Sequence, residues 1–179
     1  MPTAVVLCLP VRETTAGTEV LLGLKLRGFG KGRLVAPGGK IEPGETPAEA
    51  AARELGEETG LAAAARELAP VGRVFFRFPS RPASDMDCSV FIARTFHGEP
   101  AVSEELHPEW HAASRLPAGR MWDDSVRWLP RLLSGERFDA TVVLAPDNES
   151  VRSFGTSPWT PGDVPAAIGA RREARPAGG

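Results

Sequence analysis

Tyrosine is absent from this chain of 179 residues, and cysteine and histidine are scarce, at two and three. That scarcity excludes much chemistry. His97, His107 and His111 fall on expected turns and strand edges, and no spacing assembles a Ser-His-Asp arrangement or a cysteine nucleophile. Cys8 and Cys88 sit in apolar runs, which reads as two buried thiols rather than a disulfide, and as a cytoplasmic chain. No apolar run reaches a bilayer-spanning length. No basic segment precedes an apolar core at the start, so no leader is expected. The formal net charge of −2 gives no electrostatic reason to bind bulk nucleic acid or an anionic membrane.

Acid is present, however, and it is concentrated. Residues 39–61 read GKIEPGETPAEAAARELGEETGL. Thr46, Pro47 and Glu49 form a capping box with proline at the first helical position. Alanines 48, 50, 51 and 52 and Leu55 are good helix formers, and Gly60 suits a left-handed stop. The spacing predicts a helix over 47–59. On it Glu54 and Glu58 stand one turn apart, with Glu57 on the adjoining edge, while Ala51 and Leu55 take an apolar face. Three carboxylates so close repel one another unless positive charge lies among them. Hard oxygen ligands suit Mg²⁺ or Mn²⁺, which also bind phosphate oxygens. Arg53 can pair with Glu49 or Glu57 four residues away. Gly38 and Gly39 let the backbone come close to a metal or phosphate.

The rest of the chain alternates elements. Strands are expected at Thr3–Pro10, Glu19–Leu26, Leu34–Ala36, Val71–Phe78, Met86–Thr95, Trp110–Leu116 and Arg137–Leu144. A second helix is expected from Asp123 or Asp124 to Ser134, kinked or divided by Pro130. Strands mixed with two helices indicate an α/β layered fold. With 42% hydrophobic and 25% charged residues, the chain can bury one ordinary core. The expected division is one domain over 1–150 and a dispensable Pro/Gly/Ala/Arg-rich extension over 151–179, with 155–179 loosely ordered.

The acidic segment matches every fixed position of the Nudix box, G-x5-E-x7-R-E-U-x-E-E-x-G-U, where U is aliphatic. The chain therefore resembles the Nudix hydrolases. The resemblance implies an α/β/α sandwich with a mixed sheet, the box forming loop-helix-loop. It also implies metal-dependent hydrolysis of a nucleoside diphosphate linked to another group. The implied cofactor is Mg²⁺, or Mn²⁺, held by Gly39, Glu54, Glu57 and Glu58, with Arg53 orienting the carboxylates. The partner would be a small-molecule nucleotide, and the protein a monomer or weak homodimer.

A second resemblance narrows the substrate. The segments LLGLKLRGFGKGR (21–33), VFFRF (74–78), DMD (85–87), EELHPEW (104–110) and MWDDSVRWLP (121–130) are similar to the MutT-homologue branch, which hydrolyses oxidised purine nucleoside triphosphates. By position, Thr3 and Lys25 would lie at the base or sugar end. Phe29, Phe76, Phe78 and Met86 would line the pocket, Trp122 would stack on the purine, and Glu105 would reach the metal site from a loop. Val35 departs from that branch, which has asparagine there, and valine cannot hydrogen-bond a base. The branch reads M-W-P-D-D where this chain has Met121, Trp122, Asp123, Asp124 and Ser125. Ungapped, Asp124 takes the first aspartate's place and Ser125 the second's; shifted by one, Asp123 and Asp124 both survive. Substrates such as 8-oxo-dGTP or 2-hydroxy-dATP follow. The alternatives are hydrolysis of another derivative such as ADP-ribose, or a non-catalytic nucleotide-binding module. The diadenosine polyphosphate branch usually carries a tyrosine soon after the box, and this chain has none.

Overall fold

The run TAVVLCLPVRET alternates two apolar faces, a pattern that suits a strand covered on both sides. In the computed structural model, which describes residues 1–160, it forms β1 (Thr3–Thr14). Leu9 and Val11, with Val5 and Leu7, face one apolar cluster; Val6 and Cys8 face another. The parallel neighbour β6 (Met86–Ala93) repeats this, with Cys88, Val90 and Ile92 on the first side and Phe91 and Ala93 on the second. The two cysteines are thus free, buried and on opposite faces. Burial pushes the Cys8 thiol up to about 12.

Around this centre lie β2 (Gly17–Lys25), β3 (Leu34–Val35), β4 (Gly38–Lys40), β5 (Ala69–Arg77), β7 (Leu106–Ala112), β8 (Phe138–Leu144) and β9 (Val151–Pro158). The order is β3-β2-β1-β6-β5-β8-β9, with β4 also on β1 and β7 on β2. The β1/β6 and β5/β8 pairs are parallel and the others antiparallel, so the sheet is mixed.

One helix covers each face. In α1 (Pro47–Thr59) the Glu49 N–H donates to Thr46 Oγ1 at 3.2 Å and the Thr46 N–H donates to Glu49 Oε2 at 2.8 Å. The helix stops at Gly60, in the left-handed region at φ 77°. Ala50, Ala51 and Leu55 pack against Val6, Cys8 and Phe91. On the other side α2 (Ser125–Leu133) packs Trp128, Leu129 and Leu132 against β1, β6 and β8. The result is the expected α/β/α sandwich.

Three expectations need correction. The strand foreseen at Trp110–Leu116 is β7, four residues earlier, because Leu106 is the buried anchor at its start. Pro130 neither divides nor ends α2: it removes one bond in a short helix, and its own carbonyl accepts from the Ser134 N–H at 2.9 Å. Residues 151–158 do not trail from the domain. They form β9, antiparallel on β8, with mostly exposed side chains, so backbone pairing rather than an apolar pattern holds this edge. The rest of the expected loose segment, residues 161–179, lies outside the described residues. No helix among the described residues is long and apolar enough to cross a membrane.

Candidate active site

The side of α1 turned away from its apolar cluster is organised by Arg53. Its Nε donates to Glu45 Oε1 at 2.7 Å, and Nη2 donates to Glu45 Oε2 and the Lys40 carbonyl, both at 3.0 Å. Nη1 donates to Glu54 Oε1 at 2.8 Å and Glu57 Oε2 at 3.2 Å. Of the two pairings open to Arg53 four residues away, the one with Glu57 forms and the one with Glu49 does not, since the capping box uses that carboxylate. One guanidinium therefore ties the loop, through Glu45 and Lys40, to two acids of the helix. Its bonds hold the Glu45 carboxyl below the usual range.

Glu58 lies round the helix, 5% exposed, its Oε2 accepting from the Gly38 N–H at 2.8 Å. Burial pushes its carboxyl up to about 7, against the lowering effect of that bond and of Lys25. Glu54 is also pushed up, chiefly by burial, against the pull of Arg53. Glu105 raises both, so the loop before β7 brings a fourth carboxylate close to them. Arg27 donates to Glu105 Oε1 at 3.1 Å, and Lys25 Nζ lies 3.5 Å from its Oε2. These cations hold Glu105 below the usual range, Arg27 foremost. Glycine is required at Gly38, where a Cβ would collide with the Val6 carbonyl; a Cβ on Gly39 would displace the Glu54 carboxylate.

This donor set fits a hard divalent cation: every side-chain group is a carboxylate, two are desolvated, and Gly39 presents backbone directly to Glu54. Among the described residues no three such side chains enclose a common point; Arg53 engages Glu54 and Glu57, and the Gly38 N–H engages Glu58.

A cavity of about 250 Å³ opens beside Glu58 and runs between the sheet and α2. Of the residues expected at a pocket, Lys25, Phe29, Val35, Gly38, Phe76, Phe78, Met86, Trp122 and Asp124 line it. Gly39 and Glu58 line it from the acidic helix. Lys25 lines the cavity on the side where Glu105 and Glu58 lie. Phe29, 67% exposed, stacks on Trp122 with ring centroids 5.1 Å apart. Gly30, at φ 86°, leaves room for that indole, which a Cβ would meet at 3.0 Å.

Thr3 and Asp123 do not line the cavity. Thr3 has the same strand parity as Val5, which does, but pairs with Met86 at the end of β1. The Asp123 carboxylate turns outward and accepts from Arg127 Nη2 at 3.3 Å and from the Val151 N–H at 2.9 Å. Asp124 takes the inward position, 6% exposed, accepting from Trp128 Nε1 at 2.8 Å and Ser125 Oγ at 3.4 Å. Burial raises its carboxyl above the usual range. Ser125, which the ungapped alignment puts in the second aspartate's place, lines the cavity beside Asp124. Sequence reasoning missed Trp128 and Asn148, which also line it. Trp128 follows Asp124 by one turn of a helix already expected. Asn148 had only its turn-like setting, Asp147-Asn148-Glu149-Ser150, as a signal.

The NUDIX domain family matches residues 1–132. The oxidized purine nucleoside triphosphate hydrolase of Mus musculus is 43% identical over 143 residues, 76% of this chain and 90% of the relative. Its counterpart in Danio rerio is 42% identical over 120 residues, 67% of this chain and 75% of the relative. Among solved structures, the MutT protein of Bacillus halodurans superposes with a TM-score of 0.71 at 27% identity, covering 88% of this chain and 99% of that one.

Proposed function

Because the chain belongs to the NUDIX domain family, we propose that it is a divalent-metal-dependent pyrophosphohydrolase of purine nucleoside triphosphates, oxidised ones such as 8-oxo-dGTP or 2-hydroxy-dATP above all. The observation that carries this reading is a single cavity with desolvated carboxylates at one end and a stacked indole beside a buried aspartate at the other. A polyphosphate needs the first end and a purine the second. The names of the mouse and zebrafish relatives support the substrate class.

Water adds to a phosphorus of the chain, a phosphoanhydride bond breaks, and monophosphate and pyrophosphate leave. Glu54, Glu57, Glu58 and the Gly39 carbonyl would hold a divalent metal, Mg²⁺ or Mn²⁺ in its place, with Glu105 extending the set. Bound there, it would supply positive charge to the polyphosphate and acidify the attacking water. A carboxylate of this group accepts the water's proton. Arg53 orients Glu54 and Glu57 and is not consumed. Trp122 and Phe29 grip the base, and Asp124 faces its edge. Two free buried thiols and a nucleotide-pool substrate suit the cytoplasm.

The test is a panel of 8-oxo-dGTP, 2-hydroxy-dATP, dGTP, dATP and ADP-ribose with Mg²⁺, scored by kcat/KM and by chromatography of the products. Oxidised triphosphates should lead the panel and yield pyrophosphate. Equal rates on ordinary purines would remove the preference and keep the hydrolase. Preferred cleavage of ADP-ribose would overturn the substrate class.

A further inference from the structure

The polar groups in the part of the cavity around Trp122 are few. Val35 contributes none, Ser125 Oγ points to Asp124, and Asp124 Oδ2 is engaged by Trp128, which leaves Asp124 Oδ1 for the base edge. A second group is Asn148, from the turn between β8 and β9. Its Oδ1 is buried and has no hydrogen-bond partner. A buried acceptor left empty costs stability unless something fills it.

The turn is built to hold this residue. Asn148 sits at φ 58°, the left-handed region that asparagine tolerates better than most residues. Its N–H donates to the Ala145 carbonyl at 2.9 Å, and the Ala145 N–H donates to the Ser150 carbonyl at 2.8 Å. Asp147 Oδ1 accepts from the Glu149 and Ser150 N–H groups, both at 2.9 Å. The hairpin is then tied to the Trp122 segment directly, by the Val151 N–H on Asp123, and through Arg33, which meets Glu149 at 3.5 Å and donates to the Met121 carbonyl at 3.2 Å. A turn pinned on both sides, carrying an unmet acceptor on a residue that lines the cavity, has the form of a recognition element.

We propose that Asn148 is a specificity-determining residue whose Oδ1 accepts a hydrogen bond from an N–H on the edge of the bound purine. The inference rests on the purine triphosphate reading of the same cavity. It also gives that reading a direction. An 8-oxopurine carries an N–H at position 7, where the ordinary purine has only a lone pair. An empty acceptor favours the first and repels the second. Asp123 is the positioning residue, since it anchors the hairpin without facing the cavity.

Asn148→Gly keeps the left-handed turn and deletes the carboxamide; Asn148→Asp keeps an oxygen acceptor and deletes the amide donors. The ratio of kcat/KM for 8-oxo-dGTP over dGTP should fall roughly tenfold in the glycine variant, through KM, with kcat nearly unchanged. The aspartate variant should stay within about threefold of the parent ratio. Calorimetric Kd values for 8-oxo-dGMP and dGMP give a second readout independent of turnover. If the parent hydrolyses none of the triphosphates yet the Kd ratio drops in the glycine variant, the hydrolase reading fails and this inference stands. If the parent hydrolyses them and neither ratio moves, Asn148 is a turn residue only. Failure to bind either monophosphate overturns the inference outright.

Discussion

The backbone N–H of Gly38 donates a 2.8 Å hydrogen bond to Oε2 of Glu58, fastening the strand that enters the acidic segment to the last turn of its helix. The carboxylate so held is nearly inaccessible, at 5% exposure. One hydrogen bond and a nearby lysine do not offset its loss of hydration, so its carboxyl rises from 4.5 to about 7.

A titration of stability follows. A raised carboxyl pKa means the folded state keeps its proton after the unfolded chain has lost it. In the metal-free protein the stability linked to Glu58 is therefore fully present below pH 4.5, declines as pH rises, and is gone above about 7. Glu58→Gln cannot titrate and removes that decline. In chelator, the difference in urea unfolding free energy between variant and parent should shift in the variant's favour by up to about 3 kcal/mol between the two limits. A difference independent of pH would contradict the burial argument.

Arg53 should tolerate no substitute for its fork. Lysine keeps the charge but cannot reach both oxygens of Glu45 while bonding Glu54 and Glu57. Arg53→Lys is expected to lower kcat/KM by about 10–100-fold with the fold retained. Steady-state kinetics beside a thermal melt separate the two effects. A large drop in Tm matching the loss of activity would mean that Arg53 acts on stability alone.

The acidic helix was legible because local rules dictate it: Thr46, Pro47 and Glu49 cap it, Gly60 stops it, and its acids fall on one side. The covered strands were legible from alternation, as in β1 and β6. What escaped was held by backbone or by distant partners. β9 has almost no apolar face to announce it. The choice between Asp123 and Asp124 depends on where the Val151 N–H and the Trp128 indole come to lie, which neighbouring residues do not encode. The pairing of Lys25 with Glu105 also escaped, because the two lie far apart in sequence.

Glu57 and Glu105 should separate sharply when each is changed to glutamine. The Glu57 side chain is 60% exposed and bonded only to Arg53, so it contributes little to the fold. Glu57→Gln should cut kcat by about 10²–10⁴ without moving the melt. Glu105 already shares its charge with Arg27 and Lys25, so Glu105→Gln should cost less, about 10-fold. Initial rates across Mg²⁺ concentration distinguish lost metal affinity from lost proton transfer. Full activity of Glu57→Gln at saturating Mg²⁺ would remove Glu57 from the catalytic set.

Neighbouring aspartates should fail in opposite ways. Asp124 is buried with a raised carboxyl, so at neutral pH its charge is a liability to the fold. Asn at that position still offers an oxygen to Trp128 Nε1, now at 2.8 Å from Oδ2. Asp124→Asn is therefore expected to match or exceed the parent in stability at neutral pH while losing about 10-fold or more in kcat/KM for purine triphosphates. Asp123→Ala instead removes the acceptor of the Val151 N–H and the partner of Arg127. It should cost about 1 kcal/mol and speed amide exchange in Val151–Pro158 while leaving exchange in α1 unchanged. Its kcat should persist, because Asp123 touches neither the cavity nor the acidic helix. Hydrogen exchange with the substrate panel decides the matter: if Asp123→Ala abolishes turnover and leaves β9 protected, the roles of the two aspartates are reversed.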